Sequence, residues 1–416
     1  MIKRKIEFIS IIQYAFFFVS ILQCNSVFFR ENGTNHQKIV LILWCFLAII
    51  LWVSANVDFV KQKYNMHRLV LFELIWTGLV VFFVLVNFFK KPVSIITLVV
   101  LFMPFFVVPI FLNDIVNRKD NLLMKFRNIV LVLAVISLVF WLLAMIGFPP
   151  NVSVIINWGR IKMINGYFNI HFIAQGTTDF LGLQGIVRNT GIFVEAPMYS
   201  YVLSLALIVE VFLGTHLKGY SKKSLLLMAT IFTTTSSTGV ILVVLVIFSK
   251  IVFLTTRINK SVKVILVIVL LPIVAGVVSH IVKSKLDSNW YSSTSIRAND
   301  FIAGYQAWKN HWILGNGLNN YNVILQNMDY RRLGLNANNG FSSGLMEVLA
   351  YGGIVYGSYF ILPVILLIRK NKAVLVVAAT SFILFTFTLV NNVFLWYIFV
   401  SYFWAVLLNN KRKLEM

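Results

Sequence analysis

The sequence has few residues that would cross-link or solubilise a water-exposed fold. Its two cysteines, Cys24 and Cys45, both lie in apolar runs, which excludes a disulfide framework and a cysteine-based metal knuckle. Charged residues make up only 12% of the chain, whereas 59% is hydrophobic and the mean hydropathy is +0.85. This composition excludes a soluble protein and indicates a chain made mostly of membrane-spanning segments.

Motifs for nucleotide and metal chemistry are also missing. The sequence contains no P-loop and no Gly-x-Gly-x-x-Gly after a predicted strand, and no cytoplasmic segment is large enough to bind a nucleotide sugar. No paired-carboxylate or His-x-x-x-His run occurs in the predicted outer segments, where His171 and His311 are isolated. We therefore predict no cofactor and no metal.

Apolar runs of roughly 18–25 residues, long enough to cross about 30 Å of hydrocarbon, recur along the chain. The predicted spans are 6–29, 39–58, 69–89, 93–112, 129–148, 197–214, 225–235, 239–255, 262–282, 344–368, 373–390 and 394–408. If the basic clusters at 222–223 and around Arg257 are both cytoplasmic, the chain must cross the membrane twice between them. Two short helices are therefore predicted there, with the polar run 233–238 at their tip. The prediction is a single integral membrane domain over 1–416, all-α and polytopic, with about twelve transmembrane helices.

Basic residues decide the orientation, because cytoplasmic segments of membrane proteins carry an excess of Lys and Arg. With both termini cytoplasmic, every inside segment holds at least three basic residues. These are Lys3/Arg4/Lys5, Lys61/Lys63/Arg68, Arg118/Lys119/Lys125/Arg127, Lys218/Lys222/Lys223, Arg257/Lys260/Lys263, Arg369/Lys370/Lys372 and Lys411/Arg412/Lys413. Only Lys90 and Lys91 disagree, on a short outer turn. The net charge of +22 therefore reflects membrane topology, and no nucleic-acid partner is predicted.

Two long segments, 149–196 and 283–343, are predicted to be extracytoplasmic loops. Loops longer than about 12–15 residues are usually functional or disordered, and the many aromatic residues of these two argue against disorder. In the second loop Ile302 and Tyr305 fall at helical spacing, which predicts an amphipathic helix that ends at 315–317.

The stretch 185–201, GIVRNTGIFVEAPMYSY, closes the first long loop. Arg188 and Glu195 flank the apolar patch 191–194, and Pro197 stands where a membrane helix would start. Both charges are therefore expected just outside the hydrocarbon, at the depth of a lipid headgroup.

The run 188–199, RNTGIFVEAPMY, resembles the corresponding stretch of the O-antigen polymerase/ligase-like superfamily and is closest to Gram-positive capsule and exopolysaccharide repeat-unit polymerases of the Wzy type. The resemblance covers roughly 129–368 through the order of its motifs. Three further motifs carry the resemblance. The first is the polar tip at 236–239, and the second is Arg297 with Trp308 and the segment 315–318 after it. The third is the pair Asn338 and Asn339, with Glu347 and the segment 352–354 after it. Many members carry an Arg at the position of Thr238, and ligase-like members carry a His at that of Asn338. Both departures favour a polymerase over a ligase.

This resemblance implies a GT-C-like helical bundle with an outward cavity and metal-independent, inverting glycosyl transfer from undecaprenyl pyrophosphate. The departing pyrophosphate gains negative charge, and planar guanidinium groups engage two phosphate oxygens at once. Arg188 and Arg297 are carried over from the resemblance and, with Glu195, are the predicted catalytic residues. The predicted substrate-binding residues are Arg331, Arg332, Arg160, Trp308, Asn338 and Asn339.

Each assignment has a structural alternative. Arg188 is otherwise an interface anchor, and Arg297 caps the following helix or forms a salt bridge through Asp300. The arginines at 331–332 are otherwise a solvated pair or a binder of anionic headgroups. Glu195 is either a general base for the acceptor hydroxyl or the partner that orients Arg188. The outer Trp and Tyr residues are either sugar-stacking platforms or an aromatic belt at the membrane interface.

The sequence therefore predicts a plasma (inner) membrane polymerase that joins undecaprenyl-pyrophosphate-linked oligosaccharide repeat units at the outer face, for a capsule, exopolysaccharide or O-antigen. Predicted partners are those lipid-linked oligosaccharides, the bilayer, and a chain-length regulator and flippase of the same pathway. Two alternatives stay open, namely a ligase that moves finished glycan to a lipid or protein, and a flippase or transporter. Flippases usually have short outer loops and carry functional charges buried in their spans, whereas here Glu73 and Glu210 are the only mid-span acids.

Overall fold

The computed structural model describes residues 2–88, 94–117, 122–180, 182–214, 220–254, 293–333, 340–390 and 392–409. The fold is mostly helical (71%), and six of the described helices are long and apolar enough to cross a membrane. These properties are those of a membrane-embedded protein. The number of spans and the cytoplasmic termini stay predictions, and the predicted span 262–282 lies outside the described residues.

The described helices are numbered in chain order. They are α1 Ile2–Gln23, α2 Val27–Arg30, α3 His36–Lys61, α4 His67–Phe88, α5 Ile95–Asn117, α6 Leu122–Met145, α7 Ala196–Leu213, α8 Lys222–Thr233, α9 Ser237–Ser249, α10 Ser293–Lys309, α11 Tyr321–Leu325, α12 Gly344–Leu367, α13 Lys372–Phe387 and α14 Phe394–Leu408. A π-helical turn, Lys250–Leu254, follows α9, and a 3₁₀ turn, Tyr330–Arg332, follows α11. The six long apolar helices are α3, α4, α5, α6, α7 and α12.

The chain folds as two compact units, Met1–Val57 with Asn113–Ile258, and Asp58–Leu112 with Asn259–Met416. Helix α7 is the centre of the first unit, because 94% of it is buried and it packs against α6, α8 and α9. It begins with Pro197 in its first turn, as predicted. A Cβ added at Gly239 of α9 would lie 2.1 Å from Oγ of Ser200 on α7, so this close helix contact depends on glycine.

The first long loop contains β-structure. Its strands are β1 Val152–Trp158, β2 Arg160–Tyr167, β3 His171–Ile173, β4 Thr177–Phe180 and β5 Leu183–Val187. β1, β2 and β3 form an antiparallel sheet in that order, and β4 pairs with β5. Ile156, Ile164 and Phe172 project to one side of the sheet and form a small core with Val27 and Val194.

The predicted all-α fold is therefore wrong between 152 and 187. Exposed and covered residues alternate along β1, with Ile155 and Asn157 exposed and Ile156 buried, which is the period of a strand. Gly159 adopts φ +67° and allows the tight turn into β2. The segment 149–196 was predicted to be a loop because it separates two predicted spans. The alternation of exposed and covered residues along β1 is instead typical of a strand.

The predicted first span 6–29 is too long at its outer end, because α1 ends at Gln23. Asn25 adopts φ +55°, and the Ser26 side chain then caps α2 by accepting a hydrogen bond from the Phe29 amide at 3.1 Å. Backbone hydrogen bonds hold the segment after α1 in place. They join Val27 N to Ile192 O (2.8 Å), Val194 N to Asn25 O (3.1 Å) and Asn32 N to Ile155 O (2.9 Å).

The predicted pair of short helices before Arg257 is confirmed by α8 and α9. Their junction, 234–236, includes Thr235 at φ +53°, a conformation that β-branched residues rarely adopt. The polar tip therefore has a defined and strained backbone, and it lies against the end of the first long loop, as its hydrogen bonds to Asn189 show.

In the second unit α12 packs against α10, α13 and α14. The predicted helix of the second loop is confirmed by α10, although it ends at Lys309, before the glycines at 315–317. Its buried face carries the small residues Ala303 and Ala307, and Ile302 and Tyr305 lie on the exposed face.

Two glycine motifs of the sequence meet in this unit. Helix α12 breaks at Gly353 (φ +60°), and the segment 312–317 runs along the break. The backbone hydrogen bonds are Asn316 N to Ala350 O (2.9 Å), Gly317 N to Tyr351 O (2.9 Å), Ile354 N to Trp312 O (2.9 Å) and Val355 N to Ile313 O (3.2 Å). A Cβ at Gly315 or Gly353 would lie within 2.4 Å of the opposing backbone, so both positions need glycine.

Candidate functional site

Arg188 lies between the end of β5 and the polar tip of the α8–α9 hairpin. Its Nε donates to Oγ1 of Thr235 at 3.0 Å and to the carbonyl of Thr234 at 3.5 Å. The next residue fixes this arrangement, because the Asn189 amide donates to the Thr233 carbonyl at 3.0 Å and its Nδ2 donates to Thr233 Oγ1 at 2.9 Å. The hairpin tip therefore orients the guanidinium from one side.

The terminal nitrogens of the Arg188 guanidinium, Nη1 and Nη2, are available to bind a ligand. Arg188 is half-buried, and within the described ranges its hydrogen bonds are all made by Nε, so Nη1 and Nη2 keep their donors. Burial lowers the pKa of Arg188, and the charge of Glu195 opposes that shift. A partly desolvated cation with two parallel donors is suited to binding a phosphate or carboxylate group.

Glu195 precedes α7 and is half-buried. Its Oε2 accepts a hydrogen bond from the indole Nε1 of Trp158 at 3.3 Å. Its charge acts on two arginines, Arg188 and Arg30, and raises the pKa of each against the effect of burial. These surroundings favour a carboxylate that orients cations, which is the second of the two roles predicted for Glu195.

Arg30 is a residue of this site that sequence reasoning missed. It ends α2, and its Nε and Nη2 both donate to Oδ1 of Asn25, at 2.9 and 2.6 Å. Its guanidinium carbon lies 4.9 Å from the ring centroid of Trp158, a cation–π geometry. The prediction extended the first span to 29 and gave Arg30, the next residue, no role. The signal for its true position was the polar content of CNSVFFRE, which interrupts the apolar run.

Burial lowers the pKa of Arg30 in the same way as that of Arg188. Among the described residues Nη1 of Arg30 makes no hydrogen bond, because Asn25 engages only Nε and Nη2. The first unit therefore collects two half-buried guanidinium groups, one carboxylate and one indole, which we call the Arg30–Arg188 cluster: Arg30, Trp158, Arg188 and Glu195.

An apolar cavity of about 1090 Å³ lies in the same unit. Its walls come from α1 and α6, through residues such as Leu22 and Ile136, and from Val27 and Ile192. Val27 lies three positions before Arg30, and Ile192 lies between Arg188 and Glu195 in the chain. The apolar cavity and the cluster therefore share two short segments of backbone.

Arg297 belongs to the second unit, where it is half-buried on α10. The carboxylate of Asp300 pairs with Arg332, with Nη1 2.7 Å from Oδ1. The structure gives Arg297 no geometry that separates its predicted catalytic role from a structural one, so this role stays a prediction.

Arg332 is surrounded by acceptors of its own unit. Its side chain is 5% exposed, and besides Asp300 it donates to Oδ1 of Asn299 (2.8 Å) and to the carbonyls of Ile296 (3.2 Å) and Gly340 (2.6 Å). Burial raises the pKa of Asp300, and Ser342 and Arg332 oppose that shift. These contacts favour a structural role for Arg332, which ties α10 to the segment before α12.

Arg331 is exposed and forms a two-pronged pair with Asp329, with distances of 2.9 and 2.8 Å from Nε and Nη2. This pair, with the Arg331 amide, lowers the pKa of Asp329 to about 2. Arg331 therefore corresponds to the solvated-pair alternative, since a ligand would have to displace Asp329.

The remaining predicted binding residues are Arg160 in the first unit, Trp308 in the second unit, and two asparagines outside the described ranges. Arg160 is exposed at the β1–β2 turn, where it pairs in register with Trp158. Trp308 on α10 donates its indole N–H to the carbonyl of Trp312 at 3.0 Å. Asn338 and Asn339 lie outside the described residues.

Within the described part of the chain, no group of three or more His, Cys, Asp or Glu side chains could hold a metal ion. No protein-family model, curated protein or solved structure matches this chain. The fold and composition therefore define the class, a mostly helical membrane protein, and the activity is argued from the Arg30–Arg188 cluster.

Proposed function

We propose that this protein is a polysaccharide polymerase that joins undecaprenyl-pyrophosphate-linked oligosaccharide repeat units at the outer face of the plasma membrane. The observation that carries the proposal is Arg188, a half-buried guanidinium whose terminal donors are unused among the described residues and whose orientation is fixed by the α8–α9 tip.

The cluster suits a diphosphate better than a single carboxylate. Arg188 offers two donors and Arg30 offers Nη1, while Glu195 neutralises only one of the two positive charges. The site therefore carries a net positive charge in partly desolvated surroundings, where charge-assisted hydrogen bonds are stronger than in water.

The apolar cavity supports an amphiphilic substrate. Its walls include Val27 and Ile192, which are close in the chain to Arg30 and Arg188. A ligand with an anionic headgroup at the cluster and a hydrocarbon chain in the cavity would be matched at both ends.

The proposed reaction is a single displacement at the anomeric carbon of the growing chain. A hydroxyl oxygen of the next unit's non-reducing sugar forms the new C–O bond, while the bond to the diphosphate breaks and the diphosphate leaves with the electron pair. Arg188 and Arg30 stabilise the charge that develops on the leaving group. Glu195 orients both cations, and the hydroxyl proton passes to solvent or to a carboxylate.

The proposal is tested with purified protein in liposomes that contain lipid-linked repeat units, by measuring product length. Arg188→Ala should abolish polymer and leave single units, because the leaving group loses its fixed cation. Arg68→Ala, which removes an exposed arginine of the second unit, is the matched control and should make normal polymer. Long polymer from Arg188→Ala would refute the assigned role. Full-length glycan moved onto a separate acceptor would indicate a ligase, and lipid-linked units crossing the bilayer without being joined would indicate a transporter.

A further inference from the structure

Helix α10 has apolar residues on two opposite faces. The inner face carries Ala303 and Ala307, which are 0% and 2% exposed, and packs on α12. The outer face carries Ile302 and Tyr305, which are 57% and 50% exposed. Residues three apart lie on the same side of a helix, so these two large side chains form one stripe.

The turn after α10 extends this stripe. The Tyr305 ring lies 6.1 Å from that of Trp308, and the Trp308 indole donates to the carbonyl of Trp312 at 3.0 Å. Trp312, Ile313 and Leu314 follow, with exposures of 57%, 48% and 40%. We call Ile302, Tyr305, Trp312, Ile313 and Leu314 the α10 patch.

The backbone of Trp312 and Ile313, two residues of the α10 patch, is held in place by the fold. The carbonyls of Trp312 and Ile313 accept hydrogen bonds from Ile354 and Val355 at the break of α12, at 2.9 and 3.2 Å. A Cβ on Gly353 would lie 2.2 Å from the Ile313 carbonyl oxygen, so the two backbones are in contact. Large side chains held outward on a fixed backbone cannot turn inward, and a contiguous apolar surface of this kind marks an interaction site.

The α10 patch is continuous with the outward surface of α12. Ile354, whose amide is bonded to Trp312, is 38% exposed, and further along the same apolar helix Leu362 and Ile365 are 41% and 53% exposed. Because α12 is long and apolar enough to cross a membrane, its exposed side chains are the ones that lipid would cover.

The polar neighbours of the α10 patch limit its depth. Lys309, Asn310 and His311 are exposed and stand between the helix and Trp312. A charged side chain is costly in the hydrocarbon centre, whereas Trp, Tyr and Lys together are typical of the interface, where rings are half-buried and the ammonium reaches water.

We propose that the α10 patch is a membrane-surface anchor, seated at the boundary between headgroups and acyl chains of the bilayer that contains α12. The anchor does not depend on the proposed catalytic activity. It would hold α10, with Arg297 on it, at the level of lipid headgroups.

The test places an environment-sensitive fluorophore on single cysteines in the full-length protein, with Cys24 and Cys45 replaced by alanine, in lipid nanodiscs. Ile302→Cys and Tyr305→Cys report the α10 patch, and Gln326→Cys, an exposed polar position directly after α11, is the matched control. Nitroxide-labelled lipids with the spin label near the headgroup or near the chain end serve as quenchers.

We expect the headgroup-proximal label to quench residues 302 and 305 several-fold more than residue 326, and more than the chain-end label does. Equal quenching at all three positions would overturn the anchor. A blue-shifted emission without lipid quenching would also overturn it, because another part of the chain or a second copy would then cover the α10 patch. Cross-linking from Tyr305→Cys would separate these two cases.

Discussion

Each unit of the molecule places an arginine beside a carboxylate, and the two pairs differ in how many donors remain. In the second unit Arg332 is almost fully buried and donates to Asp300, Asn299 and two backbone carbonyls. In the first unit Arg188 is half-buried, its Nε alone is engaged among the described residues, and Glu195 acts on it through space. The comparison teaches that the state of the donors separates a structural arginine from one available to a ligand, although each arginine has a carboxylate near it in the fold.

The largest effect should come from breaking the buried pair of the second unit. Asp300→Ala leaves the Arg332 guanidinium buried without its counter-ion, which typically costs about 3–5 kcal/mol. We therefore expect a large fall in the melting temperature of the detergent-solubilised protein, read by intrinsic tryptophan fluorescence.

The double variant Asp300→Leu with Arg332→Met is the control for this prediction. Replacing both partners by apolar residues of similar volume removes the buried charge together with its partner, so much of the lost stability should return. If the single and double variants have the same melting temperature, the Asp300–Arg332 pair is not what stabilises this region. Arg332 would then not be the structural arginine of the comparison.

The next effect concerns the sheet that carries Trp158 in the first unit. His171 is buried against Phe140 and Tyr167, and burial lowers its pKa from 6.5 to about 4. The folded state therefore keeps His171 neutral, while the unfolded state takes up a proton below its ordinary pKa. The contribution to stability is complete above pH 6.5, declines as the pH falls, and is lost below about pH 4, at a cost of roughly 3 kcal/mol.

Melting temperatures measured from neutral pH down to about pH 4 check this contribution. His171→Phe keeps an aromatic ring in the same place, and Nδ1 of His171 has no hydrogen-bond partner among the described residues to lose. The variant should therefore lose less stability on acidification than the parent protein. Parallel pH profiles would show that His171 is protonated in the fold, and the sheet would then have to be more open than described.

The first and second units also differ in how far the sequence predicts them. The helices of both units follow from long apolar runs, and the junction of α8 and α9 follows from the polar tip between two basic clusters. The sheet was missed because strands of three to eight residues give a weak periodic signal beside the stronger signal of the spans.

Arg188 and Glu195 were singled out in the sequence because they flank an apolar patch just before α7, and Arg188 also because of the resemblance; their roles stay predictions. Arg30 was missed, since its place beside Trp158 depends on the turn at Asn25 and on a cation–π contact across more than a hundred positions of the chain. The sequence also did not reveal that the donors of Arg332 are engaged, because three of its partners lie about 30 positions away on α10. These partners are Ile296, Asn299 and Asp300. Periodicity and local spacing cannot reveal contacts made by tertiary packing.

A smaller effect should separate the charge of Arg188 from its shape. Arg188→Lys keeps the positive charge but loses the planar pair of donors and the Nε bond to Thr235. One charge-assisted hydrogen bond contributes roughly 1.5–3 kcal/mol, so the polymerisation rate should fall by about tenfold or more while the melting temperature changes little. A rate equal to that of the parent protein would mean that a positive charge alone is sufficient at this position. The unused Nη donors of Arg188 would then not be what binds the leaving group.

The smallest effect should come from the exposed pair Arg331 and Asp329. Surface ion pairs contribute little because water screens them and two long side chains must be ordered to form them. Arg331→Ala should therefore leave both the melting temperature and the product length close to those of the parent protein, even though Arg331 is next to Arg332 in the sequence. The measurement is the same pair of assays, run beside Asp300→Ala and Arg188→Lys. A loss of polymer in Arg331→Ala without a loss of stability would give Arg331 the ligand-binding role and show that a paired, exposed arginine can also serve a ligand. The state of the donors would then no longer distinguish the two kinds of arginine in this chain.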